Sequence, residues 1–470
     1  MSKIVKVIEQ YKVTPPTSSS IPITCIPLTF FDIPWLCCPP IQRIFFFNFP
    51  HSLHYFMQTF LPILKLSLSL TLQHFFPFAS NLVLPSIPNL PYILYSHGDF
   101  VSFTVAQSTH DFINLVNGSI RDVTELHPFV PSLPSPRILE DGTQMIPCMA
   151  IQVTVFPNSG FTICLTFRHV VADGKSFHHF MKFWASVCRS KGNLASLEGS
   201  LAMPLHNRDI IEDPKGLKLS FLEEIWSSSK ESIESIGLVR DDPVDIVRHT
   251  FVLSRDHVEK LKKLVSTKCK THGLGTLHVS TFVVTCSLIW VCKTISEDTI
   301  VGTSLTNNDE SYILAFMADC RNRPEYLIPS TYFGNCLGCG NAVVKRSKLV
   351  GENGILEAAI AIGNEVRNLH CEPFKGVERL MSNFTEFATL GKHMVIIAGS
   401  QKLDVYDTDF GIGKPKISEV VHVDNAGSIS LSDSRDRDGG IEVGLALERI
   451  QMNKFIAIFQ ENLTEIAVHD

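Results

Sequence analysis

The chain has 470 residues and a mass of 52.4 kDa; it is 45% hydrophobic and 19% charged, with a net charge of −6 and a pI near 6.3. That length exceeds one ordinary hydrophobic core and predicts two domains of roughly 200 residues each. The apolar content excludes a disordered chain, and scattered rather than blocked Lys and Arg residues exclude a basic surface for nucleic acid.

Met1-Ser2-Lys3-Ile4-Val5-Lys6 lacks the apolar core of a secretory signal. The stretch from Ile21 to Phe49 is greasy, but Pro27, Asp32, Pro34, Pro39, Pro40 and Arg43 interrupt it. No run reaches the roughly eighteen apolar residues of a membrane span. Thirteen cysteines, an odd number without framework spacing, fit reduced and mostly buried thiols. Cys336-Leu337-Gly338-Cys339 has metal-ligand spacing but no second ligand pair nearby, so no metal site is expected. Without a signal, sequons such as Asn383-Phe384-Thr385 read as chance matches. The expectation is a cytoplasmic monomer with neither membrane nor nucleic-acid partners.

Along the chain, Leu64, Leu66, Leu68, Leu70 and Leu72 alternate like a strand, yet the wealth of Leu and scarcity of β-branched residues favour a helix. Ile151, Val153 and Val155 alternate with Gln152 and Thr154, and Pro157-Asn158-Ser159-Gly160 forms a turn. The return strand sets Phe161, Ile163, Leu165 and Phe167 on one face; if it runs on, His169 joins that face and Arg168 points oppositely. Phe177, Phe180, Met181, Trp184, Val187 and Cys188 then follow helical spacing. From these patterns we place a first domain at 1–195, a crossover at 196–225 and a second domain at 226–470. The second domain has a helix from Ser280 through Val291, capped by Ser280 or Thr281. Strands at 428–432 and 441–447 flank the loop Ser434–Gly440, followed by an amphipathic helix around Phe455, Ile456 and Phe459.

A lone histidine on an apolar strand face is more often a packed core residue than a catalyst. His169 departs from that expectation because Asp173-Gly174 follows closely. The turn brings a carboxylate near the imidazole, and Gly174 is expected to permit backbone geometry that a side chain would obstruct. Partial burial would poise the ring to take a proton near neutral pH.

His169-Val170-Val171-Ala172-Asp173-Gly174 resembles the HxxxDG motif of the plant BAHD acyltransferases, and Asp409-Phe410-Gly411-Ile412-Gly413-Lys414-Pro415 is similar to that family's DFGWGKP. Tyr332-Phe333-Gly334-Asn335-Cys336 resembles the YFGNC signature of the clade that acylates anthocyanin and other flavonoid glycosides. Matches also run through Leu28–Leu36, Asp319-Cys320-Arg321 and Ser432–Asp436. The resemblance implies an α/β fold of two chloramphenicol-acetyltransferase-like domains, each a mixed sheet with helices, and an active-site channel between them.

It implies an acyl-CoA co-substrate, no bound cofactor, and a phenolic glycoside acceptor deprotonated by His169 without an acyl-enzyme. Asp173 would then pair with an arginine and shape its loop, or alternatively orient the His169 ring. Asp409, Phe410, Gly411 and Gly413 would be structural, near the domain interface. Arg321 is the expected partner of Asp173 or Asp409. Ile412 stands where the family motif has tryptophan, which would affect stability more than activity.

A malonyl donor would need a cation for its carboxylate; Arg168, Lys175, Lys182 and Arg189 are the nearby candidates, and a hydroxycinnamoyl donor remains equally open. Two other readings keep the fold: an amine or simple-alcohol acceptor, or a non-catalytic acyl-CoA-binding relative. Gly411-Ile412-Gly413-Lys414 lacks the residues of a phosphate loop. His178-His179 is expected at the surface. Lys260, Lys262, Lys263, Lys268 and Lys270 read as a solvated helix face rather than a CoA phosphate site.

Overall fold

The computed structural model describes residues 4–16, 21–118, 120–227, 245–273, 277, 279–297, 310–323, 327–372, 376–382, 393–425, 428–436 and 439–468. The sequon at Asn383, residues 228–244 at the start of the expected second domain, and positions 437 and 438 of the terminal hairpin loop lie outside them.

The predicted hairpin forms as strands Met149–Phe156 and Gly160–Phe167, paired antiparallel from Met149↔Phe167 to Phe156↔Gly160. It lies in a six-stranded mixed sheet ordered Val5–Val13, Val101–Ser108, Met149–Phe156, Gly160–Phe167, Ile41–Asn48 and Ile417–Val420. Both hairpin faces are buried. On the polar face, Thr166 donates to the Pro131 carbonyl at 2.7 Å and Gln152 to the Pro128 carbonyl at 2.9 Å.

One expectation fails here. The strand does not run on to His169. Arg168 gives its N–H to the Cys148 carbonyl at 3.0 Å, and the next bonds, Val171 N–H to Arg168 O and Ala172 N–H to His169 O, curl residues His169–Val171 into a 3-10 turn. His169 is therefore aimed by a turn rather than by strand alternation.

Helix Gly174–Arg189 follows, with Phe177, Phe180, Met181, Trp184, Val187 and Cys188 all buried as their spacing predicts. It packs on helix Leu61–Leu72, where Leu64, Leu68 and Leu72 recur every four residues on the buried side. Trp184 Nε1 donates to the Leu64 carbonyl at 3.2 Å and to Ser67 Oγ at 3.1 Å. The leucine-rich segment is thus helical.

A seven-stranded mixed sheet organises the second half in the order Leu337–Lys345, Ser311–Asp319, Met394–Gly399, Ile429–Asp433, Ile441–Glu448, Ile246–Leu253 and Arg121–Asp122. Helices Thr281–Glu297 and Arg449–Val468 cover its core. The first is entered from Ser280, whose Oγ accepts the Val283 N–H at 3.3 Å. A separate five-stranded antiparallel sheet, absent from the sequence reading, runs through the first half.

The two large sheets exchange edges. Ile417–Val420 from late in the chain pairs with Ile41–Asn48, while Arg121–Asp122 from early in the chain pairs with Ile246–Leu253. Buried Glu419 ties the exchange together, forming ion pairs with Arg121 and, at 2.7 Å, with Arg248. Residues 196–225 are more ordered than their composition implies. Leu205 bridges to Tyr332, Arg208 is buried, and helix Leu217–Ser227 sends Leu217, Phe221, Leu222 and Ile225 into the first core.

Candidate active site

His169 lies where the halves meet. Its ring stacks on Trp35, with centroids 3.8 Å apart and planes 9° from parallel, so one face is closed to water. Its Nδ1 is 3.1 Å from Asn335 Oδ1. The orientation of that amide follows from its other bonds. Asn335 Nδ2 donates to Asp32 Oδ1 at 3.0 Å, to the His169 carbonyl at 2.9 Å and to the Val170 carbonyl at 3.2 Å, leaving Oδ1 toward the imidazole. An acceptor opposite Nδ1 requires a proton on Nδ1, so the neutral ring carries its lone pair on Nε2. Asp32 is anchored in turn by the Thr29 N–H and hydroxyl at 2.9 and 2.8 Å.

Burial holds the His169 pKa below its ordinary value, against the opposing pull of Asp173, Asn335 and Asp32. The unprotonated form therefore dominates at neutral pH. This arrangement can accept a proton at Nε2 from a hydroxyl presented to it.

Asp173 does not touch the imidazole in any recorded hydrogen bond. It caps helix Gly174–Arg189, Oδ1 accepting the Ser176 N–H at 2.9 Å, while Oδ2 accepts from Arg321 Nη1 at 2.8 Å and the Cys336 N–H at 3.1 Å. Arg321 is saturated: it also donates to Asp319 Oδ1, Ser176 Oγ and the Tyr332 and Gly334 carbonyls. Of the two aspartates the sequence offered, Asp173 is its partner. Asp173 and Arg321 thus rivet the HxxxD turn to the 332–336 segment that carries Asn335.

Gly334 in that segment is a requirement of the site. Its φ is +148°, and a Cβ there would fall within 1.7 Å of Arg208 Nη1, which donates to the Phe333 carbonyl at 2.7 Å. Gly174 is not constrained in this way: it has no positive φ, and a Cβ would meet only Leu403 Cδ1 at 3.4 Å. The expected steric role for Gly174 is therefore overturned; the turn geometry comes from the Asp173 cap.

The second motif lies against the opposite end of the same helix. Asp409 Oδ1 accepts the Gly411 and Gly413 N–H groups at 2.8 and 3.0 Å, and both glycines have positive φ, +90° and +96°. Phe410 is buried edge-on to Trp184 at 4.9 Å and Phe47 at 5.6 Å. Ile412 packs on the same core. Nothing in this loop reaches His169.

Other sequence candidates separate cleanly. Arg168 donates to the Pro147 carbonyl at 3.3 Å, Lys175 pairs with Asp319 at 2.7 Å, and Lys182 with Asp404 at 3.2 Å. His178 is buried beside Phe45 and Phe177, contrary to its expected surface position, because it occupies the core face of its helix. Lys260 and Lys262 pair with Asp256 and Glu259 on their own helix, as a solvated face would. Among the described residues no group of three or more His, Cys, Asp or Glu could hold a metal ion, and no helix is long and apolar enough to cross a membrane. A cavity of about 180 Å³ in the second core, lined by Leu264, Lys268, Val291, Glu352 and Ile466 among others, contains no histidine, cysteine or hydroxyl.

The sequence reading missed Trp35, Asp32 and Asn335 as working parts, although all three stand in the stretches that carry the resemblance. The available signal was a carboxylate in the apolar run Leu28–Leu36, since a buried carboxylate must be hydrogen-bonded.

Residues 3–462 match the model of the Transferase family. The chain belongs to the BAHD acyltransferases. It is 40% identical to coumaroyl-CoA:anthocyanidin 3-O-glucoside-6''-O-coumaroyltransferase 1 of Arabidopsis thaliana over 98% of each chain. It is 33% identical to malonyl-coenzyme A:anthocyanin 3-O-glucoside-6''-O-malonyltransferase of Dahlia pinnata over 97% of each. The fold resembles that of vinorine synthase, which matches with a TM-score of 0.69 and 19% identity over 96% of each chain. A second likeness is F. graminearum TRI101 complexed with coenzyme A and deoxynivalenol, with a TM-score of 0.64 and 14% identity over 92% of this chain and 97% of that one. The protein is accordingly an acyl-CoA-dependent acyltransferase of mixed α/β architecture.

Proposed function

We propose that this BAHD enzyme transfers a hydroxycinnamoyl group from its CoA thioester to a sugar hydroxyl of an anthocyanin or related phenolic glycoside, with Nε2 of His169 as general base. The observation that carries the proposal is the Nδ1 contact to Asn335 Oδ1 at 3.1 Å, which leaves Nε2 as the basic nitrogen. Nε2 takes the hydroxyl proton as the oxygen attacks the thioester carbonyl. The tetrahedral oxyanion collapses, the C–S bond breaks, and the imidazolium returns the proton to the coenzyme A sulfur, leaving an ester and free CoA. No acyl-enzyme is required: the thiols of Cys320 and Cys336 are pushed up by burial and stay protonated.

Two observations favour an aromatic over a malonyl donor. The coumaroyl-transferring relative is more similar than the malonyl-transferring one. Near the site, Arg168, Lys175, Arg208 and Arg321 are already engaged with protein oxygens, so none of these four offers a free cation to a malonyl carboxylate. We also take the enzyme to work as a cytoplasmic monomer, with the reactants meeting in a channel between the halves that supply His169 and Asn335. Thirteen unpaired cysteines support a reducing compartment, and sedimentation of the purified protein tests the monomer.

An amine acceptor is the rival reading, favoured by 31% identity to agmatine coumaroyltransferase of Arabidopsis thaliana. Incubation with coumaroyl-CoA or malonyl-CoA and either an anthocyanidin glucoside or agmatine, followed by mass spectrometry, decides among them. The proposal expects a coumaroyl adduct on the glucoside. A malonyl adduct would overturn the donor, an acylated agmatine the acceptor, and absence of any adduct the whole reading.

A further inference from the structure

A second histidine stands at the same end of the same sheet, and the sequence reading did not single it out. Strands Gly160–Phe167 and Ile417–Val420 flank Ile41–Asn48 on either side and run in the same direction, both antiparallel to it. His169 lies just beyond the rung Phe167↔Ile41. His422 lies just beyond the rung Val420↔Arg43. The two imidazoles thus leave strands two positions apart, about 10 Å at ordinary strand spacing, a gap that a thioester and an attacking hydroxyl would bridge.

Their tautomers are opposite. The Gln42 N–H, which can only donate, points at His422 Nδ1 at 3.1 Å; the Gln42 carbonyl lies farther from the same nitrogen, at 3.4 Å, and accepts the Val421 N–H at 2.9 Å. Nδ1 of His422 is therefore the acceptor that ends the strand ladder, and its neutral ring carries the proton on Nε2. His169 holds its proton on Nδ1 and its lone pair on Nε2. Burial, with His169, Arg43 and Arg248 as further depressing charges, brings the His422 pKa to about 4, so this ring is neutral wherever the enzyme works.

We propose that His422 is a second catalytic residue, its Nε2–H donating to the thioester carbonyl oxygen as that oxygen becomes the tetrahedral oxyanion, opposite the base His169. The assignment rests on the general-base reading of His169. A fixed, neutral donor stabilises the developing charge without reorganising and without competing for the acceptor's proton. No bond to His422 forms or breaks; it strengthens one hydrogen bond as the carbonyl oxygen gains charge.

Two substitutions separate this role from that of a strand end. His422→Asn keeps an acceptor for the Gln42 N–H and removes the Nε2 donor, whereas His422→Gln places an amide donor near the Nε2 position. With the acyl donor and acceptor that support wild-type turnover, His422→Asn should lower kcat on the order of a hundredfold. Its KM for acyl-CoA should stay within about threefold, its Tm near wild type, and its low-pH limb unmoved. His422→Gln should recover about tenfold or more of the loss. Wild-type kcat in folded His422→Asn would overturn the inference, as would loss or displacement of the low-pH limb, which would make His422 the titrating base. His169→Ala run in parallel keeps the two readings apart. If it is inactive while His422→Asn is fully active, only the oxyanion assignment fails; if it retains wild-type turnover, the base assignment fails first.

Discussion

At His169 the bond from Nδ1–H to Asn335 decides which nitrogen can take a proton, and the Trp35 face keeps the ring plane. Asn335→Ala frees the tautomer and should reduce kcat on the order of a hundredfold, measured at saturating acyl-CoA so that binding does not contribute. The pH profile follows from the direction of the shift. Because burial lowers the His169 pKa below 6.5, kcat/KM should fall to half its plateau only below pH 6.5, as the ring is protonated. A half-plateau point above pH 7 would contradict the environment described here. His169 was legible in the sequence because histidine, aspartate and turn lie within six residues. Asn335 and Asp32 were not, since their contacts span 166 and 303 residues and no local period records them.

Among the elements, helix Gly174–Arg189 is the piece both motifs serve: Asp173 caps its start, and the 409–413 loop braces its other end. That explains why two distant motifs accompany one reaction although only the first carries the proposed base. Asp409→Ala leaves two N–H groups without their acceptor and should cost about 1–2 kcal/mol of stability, seen as a lower Tm with kcat per folded molecule little changed. Gly411→Ala should cost about 1–3 kcal/mol, because its φ is +90° and a Cβ would press on the Arg189 Cα at 3.3 Å. The helix itself was readable from its apolar spacing, and so was the hairpin before it. The point where the strand stops, at Phe167, was not, because alternation carries no information about where a strand ends.

Across the whole molecule, the edge exchange means that neither half completes its sheet alone. Glu419 sits at that seam with Arg121 and Arg248. Glu419→Ala strands two buried guanidinium groups and should destabilise the fold by about 3–5 kcal/mol, read from chemical denaturation. Acid should loosen the protein by a related route. Burial lowers the pKa values of His206 and His422 to about 4, and holds that of His178 well below its ordinary value. Above pH 6.5 folded and unfolded rings are both neutral, so these groups contribute nothing. As pH falls from 6.5 toward about 4 the unfolded chain binds protons that the folded chain refuses, and stability drops. The loss should reach about 1–2 kcal/mol for each partly exposed ring by pH 5. A division into two domains was legible from length, and their mixed sheets were implied by the resemblance that the ordered motifs carry. The exchange was not, because Ile417–Val420 and Arg121–Asp122 are too short to announce their partners.

The central claim is that Nε2 of His169 removes the acceptor's proton. It is tested most directly by the turnover of His169→Ala with coumaroyl-CoA and an anthocyanidin 3-O-glucoside, normalised to folded protein. The account predicts a fall of about a thousandfold or more with Tm within a few degrees of wild type; turnover at the wild-type rate by a folded His169→Ala enzyme would contradict it.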